Sequence, residues 1–345
     1  MTLRAGLVVV ALLASYSDAG AADPSGDDFY ARLAAAVRSK VDAVVASHAP
    51  KLVPPTPIKP SWKVSKIANL DLGAPLVALT AAELDGDPKA AELYAVTPRD
   101  VVALGYRNGR LVELGRVAFF GERAVQEPRD VVGTIVVDRG EVIAAASPWA
   151  KELRVTWVNK KLTAQPGQFL AGPSLGGPAS GAGFLLCPNL RAQLQPGRNH
   201  FTTNTFETRC RDDLVDATGQ QLQVRAELAT TGKLAVTVET CPPGGACVQT
   251  GKFEYSKVGV AFAIADVDRN GTPEVVVSDA SAPYASDSAR VITLGGEEKG
   301  IYKKTFMGGV AGLVVADGDD ADDIPEVIAA VRLAGSTRVD FWRLD

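Results

Sequence analysis

The hydrophobic positions follow two different patterns along the chain. From Asp27 to Ser47, apolar residues recur every three to four positions, which predicts one amphipathic helix. Prolines between Pro50 and Pro60 predict a stiff, extended connector after it. Beyond Trp62, apolar residues alternate with polar ones or form short runs, and this predicts about twenty short strands. We interpret the helix as a brace packed on the strands, with a partner-binding helix as the alternative.

The predicted strands belong to a longer unit that recurs. Each unit opens with a small, apolar strand, usually reaches an acidic turn, and usually continues into a second apolar strand. The units begin near Pro75, Asp130, Gly181, Gly259 and Val310. The acidic turns, at spacings of 53, 128 and 51 residues, contain Asp85, Asp138, Asp266 and Asp317. A period near 50 with about four strands per unit is typical of a propeller blade.

We therefore predict an all-β fold over 62–345, namely a β-propeller of about five to seven four-stranded blades after a short N-terminal amphipathic helix. The stretch 181–258 is longer than one unit, so it either carries an insertion or contains an additional blade. The last unit, which ends at Arg338–Leu344, lacks an outer strand that Trp62–Ile67 could supply. That pairing would close the ring without an exposed edge. The alternative is an open array of β-sandwiches.

The N-terminus predicts export. Arg4 precedes an apolar run from Leu7 to Ala14 and an Ala-Gly-Ala ending, which together are typical of a signal peptide over 1–21. An uncleaved N-terminal anchor is the alternative, but the run is shorter than the roughly 20 apolar residues of a spanning helix. The net charge of -4 argues against a nucleic-acid partner. We expect a periplasmic or extracellular protein with no membrane span.

The cysteines lie within one window, at Cys187, Cys210, Cys241 and Cys247. In an exported chain, an even number predicts two disulfides with three possible connectivities. The tight turn between the last two cysteines favours the pairs 241–247 and 187–210. A zinc site is the alternative, although C-x-x-C spacing is absent and only His200 is nearby.

The most specific motif is the stretch 266–274, whose sequence is DVDRNGTPE. Its candidate ligands are the side chains of Asp266, Asp268, Asn270 and Glu274 and the backbone carbonyl of Thr272. Oxygen ligands at this spacing suit a hard cation such as Ca²⁺, and the intervening glycine permits the sharp turn. The loop joins two predicted strands, which excludes an EF-hand.

The phrase AIADVDRNGTPEVVVSD resembles the FG-GAP/VCBS-type repeats of integrin-α-like β-propellers. The resemblance covers roughly 62–345 and implies a propeller with Ca²⁺ at loops between the first two strands of its blades. By this resemblance, further calcium ligands are Asp85, Asp87, Glu92, Asp317, Asp319, Asp322 and Glu326. Both additional loops differ from the 266–274 loop in length, and the turn 138–141 lacks the motif. The alternative is polar turns without metal.

Two groups look catalytic without the context that catalysis needs. Ser174 lies in a G-x-S-x-G match, but the segment is rich in Gly and Pro, and no acid lies between it and His200.

The predicted function of the whole protein follows from the fold and the acidic loops. We expect a non-catalytic, calcium-stabilised binding module for a protein or glycan. The alternatives are a secreted hydrolase or lyase acting on polysaccharide, and a structural component of an envelope assembly. Titratable groups converging on the central channel would favour the enzyme.

Overall fold

The computed structural model shows a chain in which nearly all regular structure is β-strand. It describes residues 34–40, 57–59, 62–85, 91–120, 133–138, 140–146, 149, 151–169, 192–193, 207–215, 221–228, 232–242, 246–268, 270, 272–279, 285–296, 300–317 and 325–345. The chain divides into two compact units, Met1–Leu52 and Val53–Asp345. In the part of the chain described, no helix has the length and apolar character needed to cross a membrane.

The first unit contributes a helix at 34–40, inside the range predicted for the amphipathic helix. Its side chains are largely exposed, and that of Val37 is 43% exposed. The rest of the predicted helix, the signal peptide 1–21, and most of the proline-rich connector lie outside the described residues. The signal peptide and the bracing role of the helix therefore stay predictions.

The strands of the second unit form five small antiparallel sheets. β1 (Val64–Asp71) is the first strand along the chain. The first sheet contains β2 (Ala78–Ala82), β3 (Glu92–Val96), β4 (Asp100–Arg107) and β5 (Arg110–Ala118). The second sheet contains β6 (Gly133–Asp138), β7 (Glu141–Ala146), β8 (Lys151–Val158) and β9 (Lys161–Phe169). The third sheet contains β10 (Ala192–Gln193), β11 (Glu207–Val215), β12 (Gln221–Leu228), β13 (Leu234–Cys241) and β14 (Val248–Tyr255).

The fourth sheet contains β15 (Val258–Ala265), β16 (Glu274–Asp279), β17 (Asp287–Thr293) and β18 (Tyr302–Phe306). The fifth sheet contains β19 (Gly309–Ala316), β20 (Glu326–Arg332) and β21 (Arg338–Leu344), and β1 joins it as an edge strand. The all-β prediction is confirmed. Within the described residues, the stretch 181–258 contributes one five-stranded sheet, and the unit expected to begin near Gly181 lies outside them.

Local sequence explains where these strands turn. Asn108 and Gly109 join β4 to β5 with φ angles of 54° and 77°, which an Asn-Gly pair adopts readily in a tight hairpin turn. The predicted second strands begin at the same register position in four sheets, since each opens with a glutamate opposite the last residue of the preceding strand. This glutamate is Glu92, Glu141, Glu274 or Glu326. The acidic loops therefore leave their sheets at equivalent positions.

Hydrophobic clusters connect neighbouring sheets. One cluster joins the first sheet to the second, through residues such as Val96 and Val155. Others join the fifth sheet to the first and the fourth to the fifth. The fourth cluster unites the third sheet with the fourth and includes Ile143 of the second sheet. Shared clusters thus connect the first sheet to the second, the third to the fourth, the fourth to the fifth and the fifth to the first.

The N-terminal edge strand is paired as the sequence predicted. β1 runs antiparallel to β21, from Val64 opposite Leu344 to Asp71 opposite Arg338. Backbone hydrogen bonds between Lys63 and Asp345 extend the ladder. Ahead of it, the ring of Trp62 stands edge-on to that of Tyr302, with centroids 5.3 Å apart, and packs beside the cluster between the fourth and fifth sheets.

The disulfide prediction is confirmed at one of its two positions. Cys241 and Cys247 form a disulfide that closes the turn between β13 and β14. The side chains of Cys187 and Cys210 lie outside the described part of the chain, so their pairing stays a prediction. Ser174 and His200 lie outside it as well.

Candidate metal centre

Three carboxylates converge where β15 ends and β16 begins. Asp266 and Asp268 lie in the connecting loop, and Glu274 is the first residue of β16. One ligand oxygen from each lies within 4.8 Å of the others. Asp268 is 6% exposed and Glu274 is fully buried, while Asp266 is half-buried. Across the described residues, these three form the one group of acidic, His or Cys side chains gathered in this way.

Local hydrogen bonds hold the loop in a tight curve. The backbone N–H of Asn270 donates to Oδ1 of Asp266 at 3.0 Å and to Oδ1 of Asp268 at 3.1 Å. Its side-chain amide donates to Oδ2 of Asp268 at 3.0 Å, and its Oδ1 accepts the N–H of Thr272 at 2.7 Å. Short polar side chains bond to nearby backbone in this way in turns. The predicted ligands Asn270 and Thr272 thus form hydrogen bonds within the loop, and these bonds maintain its curved conformation.

The two carboxylate oxygens of Glu274 differ in hydrogen bonding. Its Oε2 accepts the backbone N–H of Val267 at 3.0 Å. Its Oε1 is buried and has no hydrogen-bond partner among the described residues. Burial, together with the negative charges of Asp268 and Asp266, raises the pKa of Glu274 to about 8. A buried carboxylate oxygen without a partner is costly unless a proton or a cation satisfies it.

The residues present therefore fit a hard cation. Three carboxylates supply oxygen ligands only, which is the ligand chemistry that Ca²⁺ and Mg²⁺ take in proteins. A bound divalent cation would neutralise the mutual repulsion of these carboxylates and give Oε1 of Glu274 a partner. Asp266, Asp268 and Glu274 would hold the ion, and its contribution would be to order the loop.

The predicted site at Asp85 and Glu92 has a different environment. Oε2 of Glu92 accepts the N–H groups of Leu84 at 2.9 Å and Asp85 at 3.3 Å, and the hydroxyl of Tyr94 at 3.2 Å. Arg107 lies 3.7 Å from the carboxylate of Asp85. Burial raises the pKa of Glu92, and the charge of Asp85 raises it further. Protein donors and an arginine thus contact these two carboxylates, while Asp87 lies outside the described residues, so this predicted calcium site stays a prediction.

The other two acidic turns are described only in part. Glu326 is 4% exposed, and the backbone carbonyl of Asp317 accepts the N–H of Ala91 at 2.9 Å. Asp319 and Asp322 lie outside the described residues, so this predicted calcium site stays a prediction. At the shortened turn 138–141, Glu141 forms an ion pair with Arg154 at 3.2 Å.

Sequence reasoning missed the side chains that contact the acidic residues of the first sheet, directly or through a hydroxyl. Trp157 of the second sheet donates its indole N–H to the hydroxyl of Tyr94 at 2.7 Å, and that hydroxyl donates to Glu92. The signal for Tyr94 was available, because an aromatic residue two positions after a glutamate points to the same face of a strand. Arg107 and Trp157 come from other strands, and the loop sequence carries no sign of them.

Comparison with known proteins gives little further information. No protein-family model matches the sequence, and no curated protein matches it. Among solved structures, a putative oxidoreductase (glucose dehydrogenase) from Thermus thermophilus aligns over 83% of this chain and 100% of its own, with 12% identity and a TM-score of 0.37. A second structure, described as glucose dehydrogenase, aligns over 82% of this chain and 99% of its own, with 11% identity and a TM-score of 0.36. Likeness at this level carries no argument about fold or activity.

Proposed function

We propose that this chain is an exported, calcium-stabilised β-propeller that acts as a non-catalytic binding module for a protein or glycan. The single observation that carries the calcium role is the cluster of Asp266, Asp268 and Glu274, in which Oε1 of Glu274 is buried and has no hydrogen-bond partner among the described residues. The function in binding rests on the fold and on the expected export, since loops on a rigid scaffold commonly carry recognition.

Three features support a five-bladed ring. The described chain contains five sheets, which lies within the predicted range of blades. Hydrophobic clusters connect the first sheet to the second, the third to the fourth, the fourth to the fifth and the last to the first. The pairing of β1 with β21 covers the edge that the last three strands would otherwise expose, as closure of a ring requires.

The inner strands favour binding over catalysis. In a propeller, the first strand of each blade would line the central channel. In the four-stranded sheets of this chain, these strands are β2, β6, β15 and β19. The sequences of β2, β15 and β19 contain only Ala, Gly, Val, Leu, Ile, Phe and Thr, and none of these can supply a general acid or base. The equivalent strand of the second sheet, β6, carries one ionisable residue, Asp138, at its end. The disulfide at Cys241 and Cys247 is compatible with an oxidising, extracytoplasmic location.

The experiment is thermal unfolding of the purified protein in millimolar Ca²⁺ and in chelator. Extracellular sites bind Ca²⁺ at about 10⁻⁴ to 10⁻³ M, so millimolar calcium should be needed. A hundredfold excess over Kd stabilises the native state by about 2.7 kcal/mol. We expect a higher melting temperature in Ca²⁺ that chelator reverses, and Asp266→Ala with Asp268→Ala should remove most of this shift.

The matched control is Asp85→Ala, in the loop where Arg107 already pairs with the carboxylate. This variant should lose less of the calcium shift than the double variant. Identical melting curves for the wild type in calcium and in chelator would show that the acidic loops are turns without metal. That result would leave the ring architecture intact, because strands and not loops form the hydrophobic clusters.

A further inference from the structure

The acidic loops of the first and fourth sheets can be aligned by strand register. In each sheet, the glutamate that begins the second strand lies opposite an alanine that ends the first strand. Asp85 and Asp268 both stand at the third position after that alanine, so they are equivalent. The residue equivalent to Asp266 is therefore Glu83, whose side chain is exposed.

Hydrogen bonds support this alignment. Oε2 of Glu92 accepts the backbone N–H of Leu84 at 2.9 Å, and Oε2 of Glu274 accepts that of Val267 at 3.0 Å. Leu84 and Val267 both stand at the second position after the alanine, so the two bonds are equivalent as well. The glutamate thus holds the start of the loop in the same way in both sheets.

The two loops differ in the charge that faces the equivalent aspartates. In the first sheet, the guanidinium of Arg107 lies 3.7 Å from the carboxylate of Asp85. Arg107 ends the third strand of that sheet. Counted from the paired residues of the second and third strands, the equivalent residue of the fourth sheet is Gly295. A glycine has no side chain, so no charge from this position reaches Asp268.

The second sheet also uses an arginine from its third strand. Arg154 of β8 lies 3.2 Å from Glu141, the glutamate that begins the second strand there. A guanidinium remains charged over the whole physiological pH range, and it cannot dissociate from the chain. The acidic residues of the first and second sheets thus have a permanent counter-charge.

In the fourth sheet, the carboxylates face one another instead. One oxygen each from Asp266, Asp268 and Glu274 lies within 4.8 Å of the others. Oε1 of Glu274 is buried and has no hydrogen-bond partner among the described residues. Carboxylates this close repel one another, and a cation from solution relieves the repulsion. The site therefore needs from outside the charge that an arginine supplies in the first sheet.

We infer that Arg107 takes the place of the cation in the first sheet, so that of these two loops only the one at 266–274 depends on calcium. The inference departs from the family resemblance, which implies calcium ligands at Asp85 and Glu92. Its statement about the fourth sheet rests on the calcium role proposed above. When calcium is removed, the loop at 266–274 opens locally, while the loop of the first sheet keeps its conformation.

Hydrogen–deuterium exchange measured by mass spectrometry follows each loop separately. In the wild type, we expect Ca²⁺ to slow exchange in peptides that contain Val267, by up to about a hundredfold at a hundredfold excess over Kd. Peptides that contain Leu84 should exchange equally fast in calcium and in chelator. Calcium protection of Leu84 would overturn the inference. Absence of protection at Val267 would overturn the proposed calcium role and, with it, the contrast between the loops.

The variant Arg107→Gln tests the arginine itself. Because the Arg107 side chain is 45% exposed, we expect the variant to fold. In chelator, peptides that contain Leu84 should exchange faster than in the wild type, because Asp85 has lost its counter-charge. Arg110→Gln is the matched control, since it removes an equal charge from the exposed residue directly opposite and keeps the ion pair of Asp85. Equal exchange at Leu84 in the two variants would overturn the inference.

Discussion

A glutamate begins the second strand of four sheets, but its surroundings differ from sheet to sheet. Glu141 is half-buried and paired with Arg154, so its charge is balanced by a neighbour. Glu92 is buried and accepts three hydrogen bonds at one oxygen. Glu274 is buried with one oxygen orphaned beside two aspartates. The same residue type at the same register position thus has three electrostatic environments.

The environment of Glu274 predicts how stability depends on pH without metal. Its pKa is about 8 in the folded chain, against an ordinary value of 4.5. The folded state therefore binds the proton more tightly, and this contribution to stability is complete below the ordinary value and is lost as pH rises toward 8. In chelator, we expect the free energy of unfolding, measured by urea titration, to fall between about pH 5 and pH 8.

Two variants separate this effect from the titration of other groups. Glu274→Gln removes the titrating group, so most of the pH dependence in chelator should disappear. Glu141→Gln changes the same register position in a paired, half-buried setting and should retain it. Calcium should also suppress the dependence, because the cation replaces the proton. Stability that stays level or increases over this pH range in metal-free wild type would contradict the prediction.

At the scale of elements, a polar network fastens the N-terminal edge strand to the last strand. Asp340 of β21 is 8% exposed, and Lys66 of β1 lies 2.7 Å from its carboxylate. Asn69 of β1 also donates to Asp340, and Arg338 donates to the backbone carbonyl of Asn69 at 3.0 Å. These contacts fix the register of two strands that are far apart in sequence.

Asp340→Ala should therefore destabilise the protein. The substitution leaves the half-buried amide of Asn69 without its acceptor and removes the ion pair of Lys66, and we expect a loss of about 1–3 kcal/mol in urea unfolding. Glu254→Ala is the control, since Glu254 forms an exposed ion pair with Lys233 and its loss should have no measurable effect. Equal stability of both variants would show that the network does not hold β1 in place.

At the scale of the whole molecule, the first described strand pairs with the last one. Without β1, strand β21 would present an open edge, and open edges pair with other chains. The segment ahead of β1 adds apolar contact, since Ile58 and Trp62 pack beside the cluster between the fourth and fifth sheets. Closure therefore combines backbone hydrogen bonding with burial of apolar surface.

Truncation tests closure directly. Deletion of residues 1–71 should lower the melting temperature and cause self-association, because the edge of β21 becomes available; light scattering coupled to size-exclusion chromatography measures the latter. Deletion of residues 1–52 is the matched control, since it removes the first compact unit and leaves β1 in place, and it should cause no self-association. A stable, unassociated product of the longer deletion would show that β1 is dispensable.

The strands themselves followed from the sequence. Alternation, small apolar runs and turn pairs such as Asn108-Gly109 are local signals, and the register of a hairpin follows from its turn. The pairing of β1 with β21 was also predictable, because the last unit lacked one strand and the first segment supplied one in excess. Similarly, the 266–274 motif identified three residues that do converge, since all three lie within one short loop.

Only the tertiary structure showed that the acidic loops, which are similar in sequence, have different surroundings. Asp85 and Glu92 match the calcium pattern in sequence, but Arg107 comes from the next hairpin and Trp157 from another sheet. Local sequence determines which groups a loop carries; the charges and burial around them depend on strands that fold against it from elsewhere.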